Sequence, residues 1–227
     1  MRSLLLVATL LIGLSPVLSA QTSGPVNVND MVLEVMRTDI GKDKEGMAMW
    51  LPQEFFLAAG MAQSPGLDSG SLAKDLDFLQ DYSVFMVQAK TKGEDGPRSL
   101  STAQLRASTS LVDEAGRAVK PLSDLPPKVE NLLNLVRQSF ASRGNEDFRL
   151  LVFPGRTGAD KRVFASPLRK GSLTLKVGKV DEFSGMTMTW KTPLASCVKP
   201  RPCAKCGETF QAAWSYCAWC GQAGGAK

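Results

Sequence analysis

The 227-residue chain contains no histidine. That absence removes histidine general bases, serine–histidine triads, cysteine–histidine pairs and histidine metal ligands together. Cysteine is missing before Cys197, so no cysteine near the N-terminus can carry a lipid anchor. After residue 20 no apolar run approaches the roughly 20 residues that a membrane-spanning helix needs. No repeat and no low-complexity tract interrupts residues 21–192. What remains is 44% hydrophobic and 22% charged, a globular balance with room for one or two domains.

The N-terminus is the exception to this balance. Residues 1–20 read MRSLLLVATLLIGLSPVLSA, with Arg2 as a short positive start and an uncharged stretch from Leu4 to Leu14. Pro16 breaks that stretch, and Ser19 and Ala20 offer small side chains before Gln21. This three-part pattern predicts a secretory signal peptide cleaved after Ala20, and hence an exported, periplasmic or secreted protein. The alternative is a chain anchored in the membrane by an uncleaved N-terminal segment.

Charge is unevenly spread. The formal net charge of +5 includes Arg2. Residues 21–120 carry 10 basic and 14 acidic side chains, against 16 basic and 8 acidic in 121–227. The second half therefore leans toward anionic partners, although a solvated surface with mild asymmetry accounts for the same numbers.

Between residues 21 and 198 the pattern predicts a β-rich α+β domain. Leu173, Leu175 and Val177 alternate with Ser172, Thr174 and Lys176, and Met186, Met188 and Trp190 alternate with Thr187, Thr189 and Lys191. Such period-two alternation predicts half-buried antiparallel strands with one wet face. Ser83–Ala89 and Phe148–Phe153 are apolar on both faces and are expected in central positions. Leu105–Val112 is expected as a further strand, ended by the turn at Glu114, Ala115 and Gly116. One long helix opens at Pro126-Pro127, with Val129, Leu132, Leu133, Val136 and Phe140 on one face and Gly144 at its C-terminal cap. Shorter helices are expected at Pro52–Met61 and Ser71–Gln80, the latter turning Leu72, Leu76 and Leu79 inward. Together these predict an antiparallel, sandwich-like sheet, with an immunoglobulin-like arrangement as the first guess and the helix packed on one face. The glycine-containing segment Pro154–Lys161 lacks the lysine–hydroxyl ending of a phosphate-binding loop and is read as a turn.

The strongest motif stands at the C-terminus. Residues 203–221 read CAKCGETFQAAWSYCAWCG, two Cys-x-x-Cys-Gly units separated by ten residues between the inner cysteines. Each unit curls so that both sulfurs face one point, and the glycine suits the tight turn that follows. In these residues the chain resembles the zinc-ribbon family, although Ala204 and Ala218 stand where many members have proline. The resemblance implies one structural Zn2+ held by Cys203, Cys206, Cys217 and Cys220, with Gly207 and Gly221 shaping the knuckles. Four sulfur ligands close the coordination sphere, which is the mark of a structural rather than a catalytic zinc. Phe210, Trp214, Tyr216 and Trp219 are expected to pack around the metal as a small satellite core. Two disulfides, a rubredoxin-like iron and a dithiol redox site compete with this reading. Cys197 is expected as a buried small hydrophobe. Lys199-Pro200-Arg201-Pro202 is expected as a stiff linker, 199–202, and residues 222–227 as a flexible tail.

Three functional classes follow. The first is a non-enzymatic binding or structural protein that docks on a protein partner through Trp214 and Trp219, its oligomeric state open. The second is nucleic-acid binding, with Lys199, Arg201 and Lys205 rimming Trp214, Tyr216 and Trp219 as a stacking platform. The third is an aspartic-type peptidase, since Asp68-Ser69-Gly70 resembles the core triplet of that family. A single copy of the triplet demands a homodimer, and Asp68 or Ser71 as a helix N-cap is the simpler reading.

Overall fold

The computed structural model describes residues 27–64, 66–93, 96–141, 147–157, 162–211 and 213–224. The expected signal peptide and the Gly144 cap lie outside them. Among the described residues no helix is long and apolar enough to cross a membrane. The described residues form a mixed α+β, strand-rich fold with antiparallel sheets and five helices.

Helix α1 (Val28–Val35) starts at Asn27, whose side chain accepts the Asn29 N–H at 2.9 Å. The chain then folds into a hairpin of β1 (Met36–Ile40) and β2 (Lys44–Leu51). Next come α2 (Gln53–Gln63), α3 (Ser69–Asp75) and a 3-10 turn at Asp77–Asp81. β3 (Tyr82–Gly93) is the spine of the first sheet. It pairs with β2 along one edge, from Lys44↔Thr91 to Leu51↔Val84. Its other edge is shared between β4 (Gly96–Ser99) and β7 (Arg149–Pro154). Between those two strands the chain forms α4 (Thr102–Ser108), β5 (Thr109–Asp113), β6 (Ala118–Val119) and α5 (Pro127–Ala141). After β7 a short hairpin, β8 (Arg156–Thr157) and β9 (Arg162–Val163), precedes β10 (Gly171–Val177) and β11 (Met186–Thr192). The second sheet runs β11-β10-β5-β6.

The two sheets share one core. The Phe85 ring of β3 meets the Trp190 ring of β11 at 5.3 Å and the Phe153 ring of β7 at 5.7 Å. The Trp190 indole N–H is satisfied by the Val35 carbonyl at 2.7 Å, which locks α1 over the same cluster. Val129, Leu132, Leu133 and Val136 of α5 are buried there, as their helical spacing requires. β10 and β11 bury the residues that alternation selects.

Four expectations change. Thr102–Ser108 is helical, so the expected strand over Leu105–Val112 begins only at Thr109. The cause is a capping box. The Ser101 hydroxyl accepts the Gln104 N–H at 3.2 Å and the Gln104 side chain accepts the Ser101 N–H at 2.9 Å. The expected Ser71–Gln80 helix starts at Ser69 and breaks at Leu76 into a 3-10 turn, although Leu72, Leu76 and Leu79 are buried as expected. β7 is buried on both faces yet pairs with β3 alone, and the Leu122 N–H covers its free edge through the Val152 carbonyl at 2.7 Å. Finally, β1-β2-β3-β4 is a meander, not the Greek-key order of an immunoglobulin sandwich.

Candidate metal centre

The C-terminal segment is built from two matching knuckles. In the first, the Cys203 N–H bonds the Glu208 carbonyl at 2.9 Å and the Gly207 N–H bonds the Cys203 carbonyl at 2.9 Å. In the second, the Cys217 N–H bonds the Gln222 carbonyl at 2.8 Å and the Gly221 N–H bonds the Cys217 carbonyl at 3.0 Å, the same pattern. Gly207 and Gly221 stand at φ +76° and +70° with open space where a Cβ would sit, so backbone conformation and not crowding demands glycine there. In each pair the first cysteine is buried and the second reaches outward.

This repetition brings four sulfurs to one point. Cys203 and Cys220 lie 3.6 Å apart, Cys206 and Cys217 3.7 Å apart, and all four ligand atoms fall within 4.8 Å of one another. A metal at the usual Zn–S distance of about 2.3 Å would hold tetrahedral sulfurs about 3.8 Å apart. The four thiols are not joined by disulfides and form a four-cysteine group that could hold a metal ion. Cys197 is not in the group. It lies half-buried against the main core, near its expected role as a small hydrophobe.

Electrostatics explain why such a group calls for a cation. The backbone N–H groups of Cys206 and Lys205 point at the Cys203 sulfur and pull its pKa down to about 6. At Cys206 the Glu208 amide also favours the thiolate. Desolvation and the sulfurs of Cys220, Cys203 and Cys217 outweigh it and push this thiol up to about 12. The Cys203 thiolate forms readily and Cys206 then resists ionising, unless a bound cation offsets the repulsion.

The surroundings differ from expectation in three ways. Only Phe210 is buried beside the sulfurs, whereas Trp214, Tyr216 and Trp219 are 45%, 63% and 60% exposed and do not form a satellite core. Arg201 and Pro202, assigned to the linker, form β12 (Arg201–Pro202) and pair with β13 (Thr209–Phe210). The Arg201 guanidinium lies 5.0 Å over the Phe210 ring, so it is packed into the segment instead of standing on its rim, where Lys199 and Lys205 are exposed. Residues 222–224, assigned to the flexible tail, are hydrogen-bonded: Tyr216 bridges Ala223, and the Gly224 N–H donates to the Ser215 carbonyl at 2.7 Å.

A contact that sequence reasoning missed holds the stem of this segment. The Glu34 carboxylate of α1 accepts the Ala195 and Ser196 N–H groups at 2.7 and 2.8 Å, and the Ser196 hydroxyl as well. It thereby caps the 3-10 turn Ala195–Cys197 that leads to the first knuckle. No local pattern signals a bond between residues so distant in sequence. Asp68 does what its position before a helix suggests. It caps α3, accepting the Ser71 N–H at 2.8 Å, and its hydrogen bonds to Ser71 and Gly70 hold its carboxyl below the usual carboxylate range.

Comparison of the chain with family models, curated proteins and solved structures returned no match.

Proposed function

We propose that this chain is an exported, non-enzymatic binding protein whose C-terminal zinc ribbon carries one structural Zn2+ and docks on a protein partner. The observation that carries the reading is the exposure of Trp214, Tyr216 and Trp219 on a segment whose own interior is served by Phe210 and the cysteines. Large aromatic side chains on a small rigid support are the residues that most often anchor protein interfaces. Sulfur-only ligands at tetrahedral spacing favour zinc among the common divalent ions, and a closed sphere gives the metal a structural role. The N-terminal pattern of residues 1–20 supports export.

The test is metal content with a thiol count on protein exported through its own N-terminal segment. One zinc per chain is expected, with Gln21 as the new N-terminus and the Cys203, Cys206, Cys217 and Cys220 thiols reactive only after chelation. A metal-free chain with one thiol counted after denaturation would mean two disulfides and would end the zinc assignment. For docking, a Trp214→Ala, Trp219→Ala double variant is expected to keep its zinc and lose the partner cross-linked to the parent chain. Retention of that partner would refute docking through these rings.

A further inference from the structure

A cleft of about 890 Å³ opens where the ends of the two sheets meet, within the size range of small-molecule sites. Tyr82 and the exposed Val163 and Leu168 give it apolar surface. Six charged side chains line it. Two are neutralised in place: Arg156 by Asp81 at 2.9 Å and Arg117 by Asp113 at 2.6 Å. Glu114 lies beside Gly171, at the foot of the loop that carries Arg169 and Lys170. Like the other three it has no ion-pair partner among the described residues, but it is exposed to solvent. Glu54, in the first turn of α2, has no ion-pair partner among the described residues, and neither have Arg169 and Lys170. Arg169 and Lys170 are exposed, whereas Glu54 is partly buried, and that burial pushes its carboxyl above the usual value.

We infer that this cleft binds a zwitterionic ligand of the amino-acid or short-peptide class, with its ammonium or guanidinium group on Glu54 and its carboxylate on Arg169 and Lys170. A partly desolvated carboxylate without a counter-ion is costly to the folded chain, and a ligand cation supplies the missing partner. Two cations on one loop suit the carboxylate at the other end. The apolar side chains of the same cleft would take the ligand's hydrocarbon body, which gives the site a reason to prefer a molecule with both charges over either charge alone.

The experiment is calorimetric titration of the full exported chain with arginine, the tripeptide Gly-Gly-Arg, agmatine and pentanoate. Arginine or the tripeptide is expected to saturate one site per chain, and their relative affinities tell a free amino acid from a peptide. Agmatine lacks the carboxylate and pentanoate lacks the cation, so each is expected to bind at least about tenfold more weakly. Glu54→Gln keeps the side-chain size while removing the charge, and is expected to weaken binding about tenfold with the fold intact by circular dichroism. The Arg169→Ala, Lys170→Ala double variant changes only exposed side chains and is expected to do the same, so it decides the matter even if Glu54→Gln folds poorly. Absence of saturation by both arginine and the tripeptide would overturn the inference. So would unchanged binding in the double variant, or pentanoate binding as well as arginine.

Discussion

If the four-cysteine group holds zinc as proposed, chelation should unfold the C-terminal segment and leave the rest of the chain standing. The buried side chains around the sulfurs are Cys203, Phe210 and Cys217, a cluster separate from the main core. Burying one phenylalanine contributes about 2–3 kcal/mol, whereas a structural zinc contributes on the order of 10–16 kcal/mol coupled to folding. A zinc bound there would therefore dominate the local stability, and packing could not replace it. Hydrogen exchange reads this directly. The amides of Cys203, Gly207, Cys217, Gly221 and Gly224 are all hydrogen-bonded within the segment. They are expected to lose protection after chelation under reducing conditions, or in Cys203→Ser. The amides that join β2 to β3 lie in the other cluster and should keep theirs, with the main thermal transition unmoved. Two outcomes would refute the reasoning: segment amides still protected without metal, or β3 losing protection together with them.

Four further outcomes are expected. Glu34→Ala leaves the Ala195 and Ser196 amides without their acceptor and should cost about 2 kcal/mol or more in urea denaturation; an unchanged midpoint would show that water replaces the carboxylate without loss. Burial first, then the charges of Glu54 and Glu34, push the Cys197 thiol up to about 12 against a smaller opposing effect of Ser196. Iodoacetamide at neutral pH should therefore label it at least about tenfold more slowly than a free cysteine. A Cβ at Gly155 would stand 2.6 Å from the Tyr82 nitrogen and 2.7 Å from the Asp81 carbonyl carbon, both backbone atoms that cannot swing away. Gly155→Ala should cost about 1–3 kcal/mol, read as a lower thermal midpoint. Glu54, whose carboxyl burial raises, holds its proton more tightly folded than unfolded. Its contribution is fully present below the ordinary value of 4.5 and is lost as pH rises through the raised value, so Glu54→Gln should flatten the fall in thermal midpoint over that interval.

How much of this fold the sequence discloses depends on whether each element has a wet face. β10 and β11 alternate cleanly because one side of their sheet meets water, and α5 shows its stripe for the same reason. β2 buries Ala48, Met49, Trp50 and Leu51 in succession, so it offers no alternation to read. α1 escapes sequence reasoning because it commits only Met31 and Val35 fully to the core, too few for a stripe. At Thr102–Ser108 both signals are present in the sequence. The apolar pattern suggests a strand, but Ser101 and Gln104 close a reciprocal cap that starts a helix at once. A local hydrogen bond outranks a periodic pattern there because the pattern is short and the cap satisfies two backbone donors.

The four-cysteine group is legible because its members lie close together in sequence and each knuckle repeats the same spacing. What surrounds it is not. Glu34 reaches Ser196 across the length of the chain, and the charges of the cleft come from α2 and the loop before β10, so only the folded chain brings them together. The misplaced aromatics are the more instructive failure. A short segment with four bulky rings suggests that the rings cover the metal. Yet the first cysteine of each pair already turns inward, and Arg201 stacks on Phe210 while the chain returns through Gly224 to Ser215. With the interior filled in this way, Trp214, Tyr216 and Trp219 have no place left inside it. Their exposure follows from the small size of the knuckles, and the proposed docking on a protein partner would take these rings out of water.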